Sequence, residues 1–389
     1  MELCLWKWEL GKTKVALDII NSKSHKIDYI LWICPFSLKN EIEAECLKWY
    51  PNLKLNIVGC ESIGLSSVIY LNILKEIKNK RVFTVVDESL KIKNSEAKRT
   101  KRILNIGSLS EYRLILNGTP VSKNVMDLYT QMKFLSPKIL NMTEQQYKNT
   151  FCEYYIRGKL KGLVKKVYNT EYLISLIEPY IFDSKLNLDI RSKYENIYYD
   201  NNYFIEYQEI KEDVLNNYMI EGKLDFFILS TRLQKCYTKS YKNKLQELIN
   251  KINDKVIIYV KYLDNIPEEV HKITGEESLK ERKQILNDFE NNKFNVLYMT
   301  YGVGSYGLNL QYCNNIIFAD QTFDYAQKIQ AEHRIYRLGQ KKEVTYYNLI
   351  CDCGMERIII KSLNKKTDLL DEIKKEISKK GEMEWLKSI

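Results

Sequence analysis

The sequence predicts an α/β protein with two doubly wound parallel-sheet lobes and helical insertions between them. Short apolar runs alternate with helical segments from residue 3 to about residue 135. A second series of the same kind begins near residue 242. Several of these runs end abruptly in glycine, acidic or amide residues, and strand ends of this kind are where open α/β sheets bind ligands.

Length and composition are those of an ordinary globular protein. The chain has 389 residues, of which 45% are hydrophobic and 28% are charged, and this predicts two or three domains with their own cores. We expect residues 1–182 to form the first lobe, with a helical protrusion at about 136–182. Residues 183–241 are expected to form a helical connection with a second protrusion, and residues 242–389 the second lobe.

Composition also bears on compartment and partners. The sequence has no run of about 18 apolar residues, so it predicts no membrane span, and its first residues lack the layout of a signal peptide. Nine cysteines without framework spacing and three histidines argue against a zinc site and favour a reducing cytoplasm. A net charge of +10 fits a polyanionic partner, and it fits general solubility equally well.

The most informative stretch is residues 82–94, VFTVVDESLKIKN. Its apolar start, Val82–Val86, is typical of a strand buried on both faces, or of a buried helix segment. The run ends in Asp87 and Glu88. In a nucleotide site, the first carboxylate can hold Mg²⁺ and the second can orient or deprotonate the attacking water. A solvated acidic turn is the alternative interpretation, and this fragment alone does not decide between them.

A second informative stretch lies at the amino terminus. The apolar run Leu3–Trp6 precedes Gly11-Lys12-Thr13, and a helical segment follows. Strand, loop and helix in this order are the context of a phosphate-binding loop. Lys12 would reach the β- and γ-phosphates, the Thr13 hydroxyl would coordinate Mg²⁺, and backbone N–H groups would cradle the phosphates. The full motif needs glycine where Trp6 stands, so the match is weak by itself.

The remaining elements of the first half follow the same alternation. They are the predicted strands 29–34, 53–58 and 112–116 and the predicted helices 38–50 and 68–77. The strand at 112–116 opens into Asn117-Gly118-Thr119-Pro120. Six basic residues between Lys91 and Arg102 predict a basic helix, for which a solvated face is favoured slightly over nucleic-acid contact.

In the second half, one predicted helix contains residues 330–340, QAEHRIYRLGQ. Arg334 and Arg337 are spaced i, i+3 and would project from one helix face. Two adjacent guanidiniums repel each other unless an anion lies between them, so we favour phosphate over separate pairing with surface carboxylates. The other elements predicted here are helices 206–219, 224–235, 242–251, 279–290 and 355–380 and strands 255–260, 271–274, 296–300, 316–319 and 344–349.

Five segments in order resemble the motifs of the Snf-type DNA translocases of helicase superfamily two. The family patterns are D-E-M-G-L-G-K-T, D-E-A-H-x-I-K-N, L-T-G-T-P, G-L-N-L and Q-A-x-D-R-x-H-R-I-G-Q. At these places the chain reads WKWELGKT, DESLKIKN, LNGTP, GLNLQ and QAEHRIYRLGQ. The resemblance covers residues 3 to about 350. The small size resembles a minimal viral or bacterial version, which would act in the cytoplasm, that of the bacterial host if viral.

The resemblance implies two RecA-like lobes that clamp ATP and move along double-stranded DNA without separating its strands. Carried over by position, Gly11, Lys12 and Thr13 would hold the phosphates and Mg²⁺. Asp87 would help to hold the metal, and Glu88 would be the catalytic base.

The second lobe and the coupling turns take further roles from the resemblance. Arg334 and Arg337 would be arginine fingers, with Gln330 nearby. Gly307 would contribute to ATP binding and lie near the lobe interface. Contact with DNA and its coupling to hydrolysis would involve Gly118, Thr119, Pro120, Asn309 and Gln311.

The chain departs from the family pattern at several places. Glu9 replaces the first loop glycine, Leu90 a histidine and His333 an aspartate, and Phe182-Asp183 replaces paired arginines. These changes leave three possibilities open: weak nucleotide selectivity, slowed hydrolysis, or reliance on a protein partner. The retained charged residues favour an active ATPase over the alternative, a hydrolysis-deficient DNA-binding or scaffolding protein. A partner that supplies target specificity fits either reading, as does any oligomeric state, and a strand-separating helicase is a third option.

Overall fold

The structure is a computed structural model. It describes residues 2–6, 11–118, 121, 124–154, 164–183, 190–221, 225–304, 308, 310–337, 339–367 and 369–389. These residues form two compact units, unit 1 within residues 1–187 and unit 2 within residues 188–389. Across the described ranges, no helix has both the length and the apolar character needed to cross a bilayer.

Unit 1 is built on a parallel sheet that has six strands within the described residues, in the order β3-β2-β4-β5-β1-β8. Two further strands, β6 and β7, form a separate antiparallel pair. The strands are β1 (Glu2–Trp6), β2 (Tyr29–Cys34), β3 (Asn56–Gly59), β4 (Val82–Val86), β5 (Tyr112–Asn117), β6 (Cys152–Tyr154), β7 (Val164–Val167) and β8 (Ile181–Asp183).

Helices cover both faces of the unit 1 sheet. On β4, Val82 and Val86 point into one core and Phe83 and Val85 into the other, which is why this strand is apolar throughout. The Phe83 side is covered by α1 and α2, and the Val82 side by the other helices. The helices are α1 (Lys12–Ser22), α2 (Lys39–Trp49), α3 (Cys60–Leu65), α4 (Ser67–Ile77), α5 (Lys98–Ser108), α6 (Tyr129–Leu135), α7 (Pro137–Leu140), α8 (Glu144–Phe151) and α9 (Thr170–Ile177).

Unit 2 has a second parallel sheet, six-stranded in the part of the chain that the structure describes, in the order β11-β12-β10-β13-β14-β9. Its central strand β10 is buried along its whole length, with alternate residues in two separate cores. The strands are β9 (Ser192–Tyr199), β10 (Val256–Val260), β11 (Lys272–Ile273), β12 (Val296–Thr300), β13 (Asn315–Phe318) and β14 (Val344–Cys351).

The larger core of unit 2 lies under α10 to α12 and α16 to α18, and the smaller one is closed by residues of α13, α14 and α15. The helices are α10 (Phe204–Glu221), α11 (Phe226–Thr238), α12 (Lys242–Lys251), α13 (Leu279–Glu290), α14 (Tyr301–Gly304), α15 (Tyr325–Glu332), α16 (Gly354–Lys365), α17 (Leu369–Lys380) and α18 (Glu382–Ser388). The predicted fold class, α/β with two parallel sheets, is confirmed.

Several elements differ from the sequence prediction, and strands β6 to β8 begin within the stretch that was expected to be a helical protrusion. Residues 192–199 form the edge strand β9, paired in parallel with β14, inside the stretch expected to be a helical connection. The predicted terminal helix 355–380 is two helices, α16 and α17, because the chain turns at Lys366 (φ +56°). The helix predicted to run through Gln340 ends at Glu332.

Candidate active site

Three neighbouring strands of unit 1 bring its motifs to one edge of the sheet. β1 lies beside β5, with Trp6 opposite Asn117, and β5 lies beside β4, with Ile115 opposite Val86. All three run in parallel, so their carboxyl ends meet at the same edge. The chain therefore leaves the sheet at this one edge after Trp6, after Val86 and after Asn117, and this edge is where open α/β sheets bind ligands.

Helix α1 begins at this edge with a glycine in a conformation that suits few other residues. Gly11 is the N-cap and has φ +65° and ψ +40°, in the left-handed region that favours glycine. The first turn of α1 holds Lys12 and Thr13 and no acidic side chain, and the N-cap position makes no side-chain cap. The N–H groups of this turn and the helix dipole thus suit an anionic ligand such as a phosphate.

The acidic pair is held rigidly at the end of β4. The Asp87 N–H donates to the Ile33 carbonyl of β2 (2.8 Å), and Asp87 Oδ1 accepts the Glu88 N–H (2.9 Å). Asp87 is buried (8% exposed), whereas Glu88 is partly exposed. The buried carboxylate is fixed as a ligand would be, and the more accessible one can meet a water molecule.

Electrostatics link the acidic pair to the helix start. Burial raises the pKa of Asp87 to about 6, and the neighbouring Glu88 charge acts in the same direction. The Lys12 charge lowers that pKa, which places the lysine close enough to interact with the carboxylate. A buried carboxylate beside a lysine and a helix N-terminus is a donor set that fits Mg²⁺ bound to a polyphosphate.

The sequence did not reveal what holds the chain after the acidic pair. Glu88 has φ +50°, and a 3₁₀ turn follows at Ser89–Ile92. The Ser89 hydroxyl donates to Gln131 Oε1 of α6 (2.7 Å), and Asn117 Nδ2 donates to both Ser89 Oγ (3.1 Å) and Gln131 Oε1 (3.0 Å). Only the polarity of these residues within apolar surroundings could have pointed to this network.

In unit 2, the two arginines lie in turns and not on a helix face, which corrects the prediction. α15 ends at Glu332, and the Arg334 carbonyl accepts the Leu310 N–H (3.1 Å) instead of continuing the helix. Arg334 is buried (4% exposed), and Arg337 donates from Nη1 to the Leu308 carbonyl (3.1 Å). Residues 308 and 310 are therefore joined by hydrogen bonds to the segment that follows α15 within this unit.

Two glutamines further join these segments. Gln311 packs against Gly339, where an added Cβ would lie 2.9 Å from Gln311 Nε2 and where φ is +99°. Gln340 is buried, donates to the carbonyls of Cys313 (2.8 Å) and Ile335 (3.2 Å), and accepts two backbone N–H groups. Gln340 therefore has a structural role, while Gln330 lies on α15 and is partly exposed.

Some predicted site residues lie outside the described residues: Glu9, Thr119, Pro120, Gly307 and Asn309. The structure brings Gly11, Lys12, Thr13, Asp87 and Gly118 to one edge of unit 1, together with Glu88. It groups Gln311, Arg334 and Arg337 within unit 2. Convergence of the unit 1 carboxylates and the unit 2 arginines on one triphosphate stays a prediction.

Two residues of the predicted basic helix, Lys101 and Arg102, lie on α5 and are engaged within unit 1. Arg102 donates to the carbonyls of Ile63 (2.7 Å) and Ser66 (3.1 Å) and to Ser67 Oγ (2.6 Å), so it fixes the junction of α3 and α4. Lys101 pairs with Glu96 (2.8 Å). These contacts account for both residues without a nucleic-acid partner.

Sequence comparison then assigns the family. A profile described as SNF2-related domain matches residues 56–256, and one described as Helicase conserved C-terminal domain matches residues 240–339. The chain belongs to the SNF2-related family. The resemblance drawn from the five motifs is confirmed, and so, at the level of the family, is the enzyme class of helicase-like ATP hydrolases that use ATP. The viral or bacterial origin stays a prediction.

Individual relatives of this SNF2-related chain are distant. A SWI/SNF-related matrix-associated actin-dependent regulator of chromatin subfamily A-like protein 1 homolog of Caenorhabditis elegans is 23% identical over 94% of this chain and 58% of its own length. An uncharacterized ATP-dependent helicase of Bacillus subtilis (strain 168) is 24% identical over 74% of this chain and 59% of its own length. The chain thus spans less than two thirds of each of these relatives.

Among solved structures, the SWI2/SNF2 ATPase core of Sulfolobus solfataricus in complex with dsDNA is similar at 22% identity and a TM-score of 0.42. That match covers 100% of this chain and 92% of the other.

Proposed function

We propose that this SNF2-related chain is a DNA-dependent ATPase that translocates on double-stranded DNA. The observation that carries the proposal is the meeting of Lys12, the start of α1 and the acidic pair at one sheet edge, where the Lys12 charge acts on the Asp87 carboxyl. Family membership supports ATP as the substrate. A soluble scaffold has no need to bury a carboxylate at the cost of raising its pKa.

In this mechanism, Lys12 and the N–H groups of the first turn of α1 bind the β- and γ-phosphates. Thr13 and Asp87 would hold Mg²⁺, which supplies neutralisation of phosphate charge when bound. Glu88, the more accessible carboxylate, orients and deprotonates the attacking water. The carboxylate pair thus separates metal binding from base catalysis.

Arg334 and Arg337 complete the proposed site from the other lobe, with Gln330 nearby, and Gly307 would contribute to ATP binding. Their guanidiniums neutralise the charge that develops on the transferred phosphoryl group, an effect worth about 10³ to 10⁵ in rate in other phosphoryl-transfer enzymes. Because they come from unit 2, hydrolysis requires closure of the lobes, and each cycle of closure and opening moves the grip on DNA.

The proposed DNA contacts are Gly118, Thr119, Pro120, Asn309 and Gln311. Contacts of this kind reach mainly phosphates, so binding should tolerate any sequence. Affinity should fall by about 10³ to 10⁵ between 50 and 200 mM salt if six to ten phosphates are contacted. A protein partner would then supply the choice of target.

Steady-state ATP hydrolysis with and without duplex DNA tests the proposal. We expect duplex DNA to stimulate hydrolysis, and Glu88→Gln to abolish it without loss of DNA binding. Displacement of a third strand from a duplex reports translocation, and a forked duplex reports strand separation, which we do not expect. If DNA binding ignores both ATP and Lys12→Ala, and no hydrolysis occurs, the chain is a DNA-binding scaffold instead.

A further inference from the structure

Helix α6 makes hydrogen bonds to both ends of the 3₁₀ turn Ser89–Ile92, which directly follows Glu88, the proposed catalytic base. Thr130 donates from Oγ1 to the Ile92 carbonyl (2.6 Å), at the far end of the 3₁₀ turn. Its neighbour Gln131 accepts the Ser89 hydroxyl (2.7 Å), at the near end. Ser89 directly follows Glu88, so the position of Glu88 is set by a helix about forty residues further along the chain.

A second strand end is tied into the same cluster. Asn117 is the last residue of β5, lies opposite Trp6 of β1 and immediately precedes Gly118. Its Nδ2 donates to both Ser89 Oγ (3.1 Å) and Gln131 Oε1 (3.0 Å). The start of the proposed coupling turn is thus joined to the residue after Glu88 through one shared amide oxygen.

Burying the polar side chains of this cluster costs desolvation free energy, which argues for a role beyond packing. Ser89, Asn117 and Gln131 are each fully buried, and buried amides destabilise a core unless their hydrogen bonds are satisfied. Gln131 also donates from Nε2 to the Asp127 carbonyl (2.6 Å), so its orientation is fixed. An apolar residue in its place would avoid the desolvation cost altogether.

The conformation of Glu88 supplies an independent observation. Glu88 is in the left-handed region (φ +50°, ψ +52°), which a residue with a side chain keeps only when its surroundings impose it. The constraint before it is the Asp87 N–H bond to Ile33, and the constraint after it is the Ser89 bond to Gln131. Loss of the second constraint would let the peptide relax and the carboxylate move.

We infer that Gln131, together with Asn117 and Ser89, is a positioning residue that holds Glu88 for catalysis and links it to the turn beginning at Gly118. The inference rests on the proposed function and names how DNA contact at that turn changes hydrolysis. When DNA binding shifts Asn117, its hydrogen bond to Gln131 Oε1 changes. Because Ser89 donates to the same oxygen, the change reaches Ser89 and alters the orientation of the neighbouring Glu88.

Gln131→Leu tests the inference, because leucine has a similar volume and cannot accept either hydrogen bond. We expect kcat to fall about 10- to 100-fold, the loss that a small misplacement of a catalytic group causes. The KM for ATP should change by no more than about twofold, since the phosphate loop is untouched. The ratio of rates with and without duplex DNA should fall towards one.

Two further variants separate positioning from stability. Thr130→Val is the matched control: it removes one bond to the same turn, from the adjacent buried residue of α6, at the end away from Glu88. The triple variant Ser89→Ala/Asn117→Leu/Gln131→Leu removes all three members of the shared cluster, so it should regain thermal stability relative to Gln131→Leu. It should not regain kcat or stimulation by DNA.

Gln131→Glu provides the rescue. A buried carboxylic acid in its protonated form can accept from Ser89 and donate to the Asp127 carbonyl as the amide does. At low pH we expect the kcat of this variant to be near the wild-type value. At higher pH the new acid ionises, and the kcat of the variant should fall while that of the wild type does not.

The inference is overturned if Gln131→Leu changes kcat no more than Thr130→Val does, or if the triple variant regains kcat along with stability. A wild-type chain that hydrolyses ATP with DNA stimulation while Gln131→Leu behaves normally refutes this inference alone. A wild-type chain that hydrolyses no ATP refutes the proposed function and this inference together.

Discussion

Replacing the buried carboxylate Asp87 by asparagine should make the protein more stable at neutral pH while it destroys activity. Asp87 is held by the Ile33 carbonyl through its own N–H and accepts the Glu88 N–H at Oδ1 (2.9 Å). An asparagine Oδ1 can accept the same N–H. What the substitution removes is the charge, whose burial beside Glu88 raises the pKa of Asp87 to about 6.

The magnitude follows from that pKa. The unfolded value is 3.8, so the shift is about two units, and at about 1.4 kcal/mol per unit the charged form costs about 3 kcal/mol at pH 7. The folded pKa lies above the unfolded one, so the folded state binds more protons between pH 3.8 and 6. The stability from this group is present in full below pH 3.8 and is lost as the pH rises through 6.

Asparagine does not titrate, so Asp87→Asn should gain about 1 to 3 kcal/mol in free energy of unfolding at pH 7, the lower figure allowing for its buried amide N–H groups. Urea unfolding of both proteins from pH 5 to 8 measures the gain, which should shrink towards acid pH. MgATP hydrolysis should fall at least about 100-fold, because the metal loses a carboxylate ligand. Glu88→Gln, which removes the neighbouring charge, should stabilise in the same direction.

An Asp87→Asn protein that is less stable than the wild type at pH 7 would refute this reasoning. So would a difference in stability that does not change with pH.

Other predictions concern stability and the phosphate loop. Lys261→Met in unit 2 should stabilise by about 3 to 5 kcal/mol at pH 7, the lower figure allowing for the lost hydrogen bond to Gln234 Oε1 (2.8 Å). Burial lowers the pKa of this lysine to about 6 from 10.5, and the gain, read by urea unfolding, should decline as the pH rises towards 10.5. Gly354→Ala should lower the free energy of unfolding by about 3 kcal/mol, because the new Cβ would lie 2.3 Å from Ile389 Cα. Gly302→Ala, whose new Cβ would meet no neighbouring atom within 4 Å, is its control in thermal unfolding. Gly11→Ala should lose about 1 kcal/mol from its left-handed backbone and raise the KM for ATP in steady-state kinetics.

The elements that could be predicted from sequence are those whose burial leaves a continuous apolar signal. β4 and β2 were predicted at their observed limits, because a strand covered on both faces has no polar positions. β9 was missed for the opposite reason: most of its residues are exposed or only partly buried, and SKYENIYY has no apolar run. An edge strand of this kind is specified by its partner β14, 152 residues away at Asn196 and Asn348.

The site divides in the same way. Lys12, Asp87 and Glu88 could be identified because charge and glycine at strand ends are local features. The end of α15 could not be identified, because residues 333–337 keep the spacing of a helix in the sequence. In the structure the Leu310 N–H donates to the Arg334 carbonyl, and this contact is not visible in the sequence. The Gln131 network was missed since its members lie 14 to 42 residues apart and only tertiary packing joins them.

The central claim is that carboxylates of unit 1 and arginines of unit 2 act on one ATP. The most direct measurement is DNA-stimulated ATP hydrolysis by Glu88→Gln and Arg337→Gln, with Arg232→Gln, an arginine paired with Asp213 (2.6 Å), as the unit 2 control. We expect both motif variants to lose at least about 100-fold in kcat while the control retains the wild-type rate. Wild-type hydrolysis by a folded Arg337→Gln protein would contradict the account.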